Sequence, residues 1–135
     1  MKIVFIGDIV GNNSKKVVIS KIPNIRSKYN PDVIICNAEN ASGGYGLSKK
    51  IAQELFKSGI DLITLGNHAW DQREMLSYIE DCPKIIRPLN YPVEVPGQGF
   101  YELVFGDGRK IVVIQIMLRL FMGMSLDDPF NSIKK

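Results

Sequence analysis

The chain has 135 residues, a formal net charge of +3, 45% hydrophobic residues and 23% charged residues. This length predicts one domain, residues 1–135, with a real core, and the composition is ordinary for a soluble globular protein. Lysines and acidic residues are mixed without a basic block, so a nucleic-acid-binding face is not expected. The opening apolar stretch is too short for a signal peptide or a membrane span, and we therefore expect a cytoplasmic protein.

Short apolar runs alternate with longer amphipathic ones along the first 80 residues. The apolar runs predict strands at 2–7, 32–40 and 61–68. The amphipathic runs predict helices at 14–29, 48–58 and 71–80. Pro23 predicts a kink or break in the first helix, and Asp71 with Glu74 resembles a capping box for the third. This alternation predicts a parallel sheet with covering helices.

The sequence "FYELVFGDGRKIVVIQIM" at 100–117 has a different character. Gly106, Asp107 and Gly108 interrupt two apolar runs, which predicts a β-hairpin. The predicted fold class is therefore α/β, a parallel sheet with covering helices followed by a β-hairpin.

Polar side chains stand at the carboxyl end of each of the three predicted strands. The strand ends read "GDIVG", "NAEN" and "GNH", and they carry Asp8, Glu39, Asn40, Asn67 and His68. Right-handed crossovers place parallel strands side by side, so the residues after each strand meet at one edge of the sheet. Each motif alone is explained by a turn or a helix cap. Together they predict one shared polar site.

The ligand types at this edge indicate a metal site. Oxygen ligands with an imidazole suit Mn, Fe or Zn. The Glu39 carboxylate can bridge two ions roughly 3.5–4 Å apart, as two-metal phosphoryl-transfer sites require. His68, the single histidine of the chain, could then protonate a departing alkoxide.

Five motifs resemble a known family when they are taken in order. They are "FIGDIVG", "CNAENASGGYGLS", "LGNHAWD", "IIRPLNYP" and "LDDPF". Together they are similar to the N-terminal half of the YmdB-like branch of calcineurin-like metallophosphoesterases. The resemblance implies half of an α/β sandwich, a centre of two divalent ions (Fe or Mn), and hydrolysis of phosphodiesters such as 2′,3′-cyclic nucleotides. It also implies Asp8, Glu39 and Asn40 on one ion, Glu39 and Asn67 on a second, and His68 as the proton donor.

The same resemblance implies further metal-binding histidines in a second half, whereas this chain has one histidine in all. The alternative is therefore a truncated, catalytically inactive remnant or an interaction module. The strongly apolar segment that ends the hairpin predicts an exposed patch, and with it a homo-oligomer or a complementing chain.

Two further features near these motifs have open interpretations. Trp70 is expected either to pack in the core or to stack on a nucleotide base. The glycines of "GGYGLSKK" fail the phosphate-loop spacing and are expected to let this loop pass close to the metal edge.

Overall fold

A four-stranded parallel sheet organises the first two thirds of the chain. The computed structural model describes residues 1–134. In spatial order the sheet contains β1 (Ile3–Ile6), β2 (Val33–Asn37), β3 (Leu62–Thr64) and β4 (Ile85–Ile86). All three pairings are parallel, which confirms the predicted arrangement of the first three strands. β4 was not predicted, because two residues are too few to form a readable pattern.

Within residues 1–134, four helices accompany the strands: α1 (Gly11–Tyr29), α2 (Lys49–Ser58), α3 (Met75–Asp81) and α4 (Pro129–Ser132). The prediction for α2 is confirmed at both ends, since Ser48 Oγ accepts a hydrogen bond from the Ile51 N–H and Gly59 ends the helix at φ 108°. The predicted break at Pro23 is wrong. α1 continues through this proline, which lies on the exposed surface of the helix, and the other predicted outcome, a kink, stays a prediction.

Helices cover one face of the sheet, and a hairpin covers part of the other. On the first face, α1, α2 and α3 pack against alternate strand residues such as Ile34 and Ile63. The hairpin consists of β5 (Phe100–Val104) and β6 (Lys110–Ile114), joined by the predicted turn. Its inward side chains are Tyr101, Leu103, Phe105 and Val113, and they pack on Val33, Ile35, Leu62 and Ile86.

The outer face of the hairpin is exposed and largely apolar, and it adjoins a groove of about 360 Å³. Its exposed apolar side chains are Phe100, Val104, Val112 and Ile114, and the ion pair of Glu102 with Lys110 lies on the same face. Half of an α/β sandwich, which the sequence resemblance implies, would leave the inner face of the parallel sheet uncovered. The hairpin covers that face over β2 to β4, and only Ile3 and Phe5 of β1 remain open there.

Within residues 1–134, none of the helices is long and apolar enough to cross a membrane.

The segment after the hairpin folds back onto the loop after β4 through one buried side chain. Asn90 is fully buried, and its amide nitrogen donates to the carbonyl oxygens of Met117 (2.8 Å) and Asp127 (3.1 Å). Its amide oxygen accepts from the Met117 N–H at 3.1 Å. One side chain therefore holds three parts of the chain together.

Replacing Asn90 by Ala is expected to lower the free energy of unfolding by about 2–4 kcal/mol, because two buried backbone groups of Met117 and one part-buried carbonyl of Asp127 would lose their partner. Denaturant unfolding measures this change, with Asn24→Ala on the exposed surface of α1 as the control. The control is expected to be neutral or slightly stabilising, since Ala favours the helix. Equal stability of the two variants would contradict the assigned role of Asn90.

Candidate functional site

The loops after β1 and β2 are joined at the carboxyl edge of the sheet by two predicted site residues. The Asn40 amide nitrogen donates to both oxygens of the Asp8 carboxylate, at 2.9 and 3.0 Å. The backbone supports this contact, since the Gly11 N–H donates to the Asn40 carbonyl oxygen at 3.0 Å. Residues 32 positions apart in the sequence thus form one polar pair, as the parallel topology predicts.

Glu39 reaches across to the loop after β3. Its Oε2 lies 3.4 Å from the backbone nitrogen of His68, and its carboxylate lies against the backbone of Gly66. A Cβ at Gly66 would overlap all three atoms of that carboxyl group. Position 66 therefore favours glycine because the Glu39 carboxylate lies against its backbone, and not because the backbone is left-handed.

The His68 ring is held by Asp71, which the sequence analysis had placed in a helix capping box. Its Nδ1 lies 2.6 Å from Oδ2 of Asp71, and each of these side chains is about one third exposed (32% and 35%). Among the described residues, no hydrogen bond engages Nε2, which leaves this nitrogen to meet a ligand. A carboxylate on Nδ1 fixes the orientation of an imidazole ring.

The predicted capping box at Asp71 and Glu74 is wrong. α3 begins at Met75, and its cap position makes no side-chain hydrogen bond. The Glu74 carboxylate instead accepts from the Lys49 N–H at 2.8 Å, at the start of α2. Sequence reasoning missed Asp71 as a partner of His68, although the spacing of three residues was the available signal.

Asn67 is the predicted site residue that the structure leaves without a partner. It is half-buried between Gly66 and His68 at the same edge of the sheet. Across residues 1–134, its side-chain amide makes no hydrogen bond. Its amide oxygen is therefore free to serve as a ligand.

A glycine-rich loop, residues 41–48, borders the site as predicted. Gly46 has φ 77°, and a Cβ there would lie 3.0 Å from the His68 carbonyl oxygen. The Gln72 side chain fixes the loop further by donating to the Tyr45 carbonyl oxygen at 2.6 Å. The Tyr45 ring meets the His68 ring at 83°, with centroids 6.0 Å apart.

Trp70 and Tyr91 form a packed wall beside the site. Trp70 packs against the core between the helices and the sheet, and also against a smaller cluster of Tyr91, Met117 and Leu126. Its ring meets the Tyr91 ring in a T-shaped arrangement, with centroids 6.1 Å apart. This packing favours the core interpretation of Trp70. Burial raises the pKa of Tyr91, and the charges of Glu39 and Asp71 raise it further.

Four side chains at this edge offer oxygen donor atoms: the carboxylates of Asp8 and Glu39 and the amides of Asn40 and Asn67. Such hard oxygen donors match the ligand preference of Mn and similar divalent ions. Within residues 1–134, no group of three or more His, Cys, Asp or Glu side chains is close enough together to hold a metal ion. The donor types therefore fit a divalent ion, and the amide oxygens of Asn40 and Asn67 would have to contribute to its coordination.

The family model described as YmdB-like protein matches residues 4–135. The chain is similar to a 2′,3′-cyclic-nucleotide 2′-phosphodiesterase of Bacillus subtilis, with 43% identity over 96% of this chain and 48% of that protein. Among solved structures it resembles a hypothetical protein of Thermus thermophilus (TM-score 0.90, 40% identity, 99% of this chain and 51% of that one). It also resembles a novel phosphatase of Mycoplasma pneumoniae (TM-score 0.89, 30% identity, 99% and 49%).

These comparisons agree with the resemblance seen in the sequence motifs and confirm the predicted fold class. The chain spans about half the length of the curated relatives it matches. The match nevertheless covers nearly all of the present sequence, and the chain belongs to the YmdB-like protein family.

Proposed function

We propose that the chain is a metal-dependent phosphodiesterase that acts on small phosphodiesters, with 2′,3′-cyclic nucleotides as the substrate class. The observation that carries the proposal is the position of His68, held by Asp71 beside Glu39 and near the Asp8–Asn40 pair. The name of the Bacillus subtilis relative supports the substrate class.

The oxygen donors of the chain would hold the metal. Asp8, Glu39 and Asn40 would bind one divalent ion, and Glu39 with Asn67 would bind a second, with Fe or Mn as the expected metals. Two such ions neutralise phosphate oxygens and lower the pKa of a water molecule. The contact of Glu39 with Gly66 and the His68 N–H gives this carboxylate a defined position between the two loops.

His68 would supply the proton in the bond-breaking step. As the oxygen of a water molecule bonds to phosphorus and one of its protons passes to solvent, the bond from phosphorus to one ribose oxygen breaks, and His68 Nε2 gives its proton to that oxygen. His68 then takes up a proton from solvent. Asp71 occupies Nδ1, so it orients the ring and presents Nε2 toward the substrate. Asp71 is a positioning residue in this scheme, because it acts through His68.

Replacing Asp71 by Asn is expected to lower kcat about tenfold and to leave KM within about twofold, because a neutral amide no longer fixes the tautomer of the imidazole or supports its protonated form, while the metal ligands are retained. Steady-state kinetics on adenosine 2′,3′-cyclic monophosphate measures both constants. Asp81→Asn, at the exposed end of α3, is the matched control. Equal kcat in the two variants would remove Asp71 from the mechanism.

Metal content and hydrolysis, measured on the same sample, test the proposed function. The chain is reconstituted with Mn²⁺ or Fe²⁺, freed of excess ion, and analysed for metal per chain and for cleavage of adenosine 2′,3′-cyclic monophosphate. We expect about two ions per chain and cleavage that stops when the ions are removed. One ion or none, without cleavage, would contradict the proposal.

A second candidate is a catalytically inactive interaction module, the remnant considered from the sequence. It is favoured by one observation: the described residues contain no cluster of three or more His, Cys, Asp or Glu side chains suited to a metal. This candidate predicts weak binding of a single ion at most. The same metal analysis therefore separates the two candidates.

The partner expected from the sequence, a second copy or a complementing chain, also stays a proposal. It is supported by the exposed apolar face of the hairpin around Phe100 and Ile114. Sedimentation equilibrium of the wild type and of Ile114→Glu tests self-association. A dimer that the substitution dissociates would support the second copy, and a monomer in both samples would exclude it.

A further inference from the structure

We propose that Tyr45 is the stacking platform for the nucleobase of a cyclic nucleotide bound at this site. The inference rests on the proposed function, since it names the part of the substrate that the same site recognises. Tyr45 is 66% exposed, although its ring lies only 6.0 Å from that of His68. The neighbouring aromatic residues, Trp70 and Tyr91, are instead packed against other side chains.

The backbone around Tyr45 is held in place, so its exposure does not arise from a loose loop. The Ser42 N–H donates to the Gly46 carbonyl oxygen at 3.0 Å, and the Gly44 N–H donates to the Asn40 carbonyl oxygen at 2.9 Å. The hydrogen bond from Gln72 to the Tyr45 carbonyl oxygen ties the loop to the segment that carries His68. A fixed aromatic ring binds a planar ligand without the entropic cost of ordering a loop.

The position of the ring matches the shape of a nucleotide. If the departing ribose oxygen meets His68 Nε2, the base on that ribose lies only a few bonds away. A ring 6.0 Å from His68 is then within reach of the base. Base stacking on aromatic side chains is tolerant of base identity, because every base has a π face. The site is therefore expected to accept purine and pyrimidine cyclic nucleotides alike.

The test compares two ligands that differ only in the base. The probes are adenosine 2′,3′-cyclic monophosphate and the 2,3-cyclic phosphate of 1-O-methyl ribose, both titrated calorimetrically in the presence of Mn²⁺. Tyr45→Ala is expected to weaken binding of the adenosine compound about 5- to 100-fold and to leave the base-free compound unchanged. Tyr45→Phe keeps the ring and is expected to bind both within about twofold of the wild type. Tyr29→Ala, a remote exposed tyrosine, is the control.

Saturation transfer from the protein to the adenine protons gives a second readout that needs no turnover. We expect transfer in the wild type and its loss in Tyr45→Ala. Equal weakening of both ligands, or no transfer in the wild type, would overturn the inference. Base contact that depends on Tyr45 without any hydrolysis would support the inference and contradict the proposed function. If both ligands are hydrolysed at rates that Tyr45→Ala leaves unchanged, the result would support the proposed function and contradict the inference.

Discussion

His68→Ala is expected to lower kcat for adenosine 2′,3′-cyclic monophosphate by about 10²- to 10⁴-fold, because the departing ribose oxygen would lose its proton donor. Metal content is expected to stay the same. The contact between Glu39 and residue 68 uses the backbone N–H, which the substitution retains. Steady-state kinetics and elemental analysis of the same preparation measure the two effects.

A substrate with a good leaving group provides the control for this variant. Bis(p-nitrophenyl) phosphate releases a phenolate that needs little protonation. His68→Ala is therefore expected to lower the rate of its hydrolysis far less. Equal losses on both substrates would show that His68 does not act as a general acid. A loss of metal from the variant would instead assign His68 to the metal site.

Gly66→Ala is expected to lower metal affinity about 10- to 100-fold and to reduce turnover with it, because the new methyl group would occupy the space of the Glu39 carboxylate. Glu39 is the proposed bridge between the two ions, so its displacement affects both. Metal titration followed by kinetics at saturating Mn²⁺ separates weakened binding from a damaged reaction.

Gly7→Ala is the matched control for Gly66→Ala. Gly7 also follows a strand of the parallel sheet, but a Cβ there would meet no atom within 4 Å. Neither glycine has a left-handed backbone conformation, so backbone strain does not distinguish the two substitutions. Unchanged metal affinity in both variants would contradict the position assigned to Glu39.

The sequence allowed the architecture to be predicted where local patterns and topology agree. Continuous apolar runs, the Ser48 cap, the Gly59 stop and the glycine-rich hairpin turn are local signals, and the structure contains each of these elements. Pro23 misled because a proline inside a helix can bend it without ending it. β4 was missed because Ile85 and Ile86 are recognisable as a strand only by their pairing with β3.

The proximity of the candidate site residues was predictable from the topology, whereas their individual contacts were not. Strand order alone brings together Asp8, Asn40 and Glu39, since residues after parallel strands share an edge. The partner of His68 was not predictable, because a carboxylate three residues away suits either a capping box or a side-chain pair. In the structure Asp71 lies in a turn before α3, where its carboxylate can reach the imidazole.

The edge position of β1 makes the oxygen donors of the site unequal in their resistance to local unfolding. β1 has one neighbouring strand, and Ile3 and Phe5 on it are exposed, whereas β2 is paired on both sides and buried. Partial opening events begin where backbone pairing and apolar contact are sparse. Local unfolding would therefore displace Asp8, which follows β1, before Glu39, which follows β2. A ligand bound to both carboxylates would slow amide hydrogen exchange along the whole of β1.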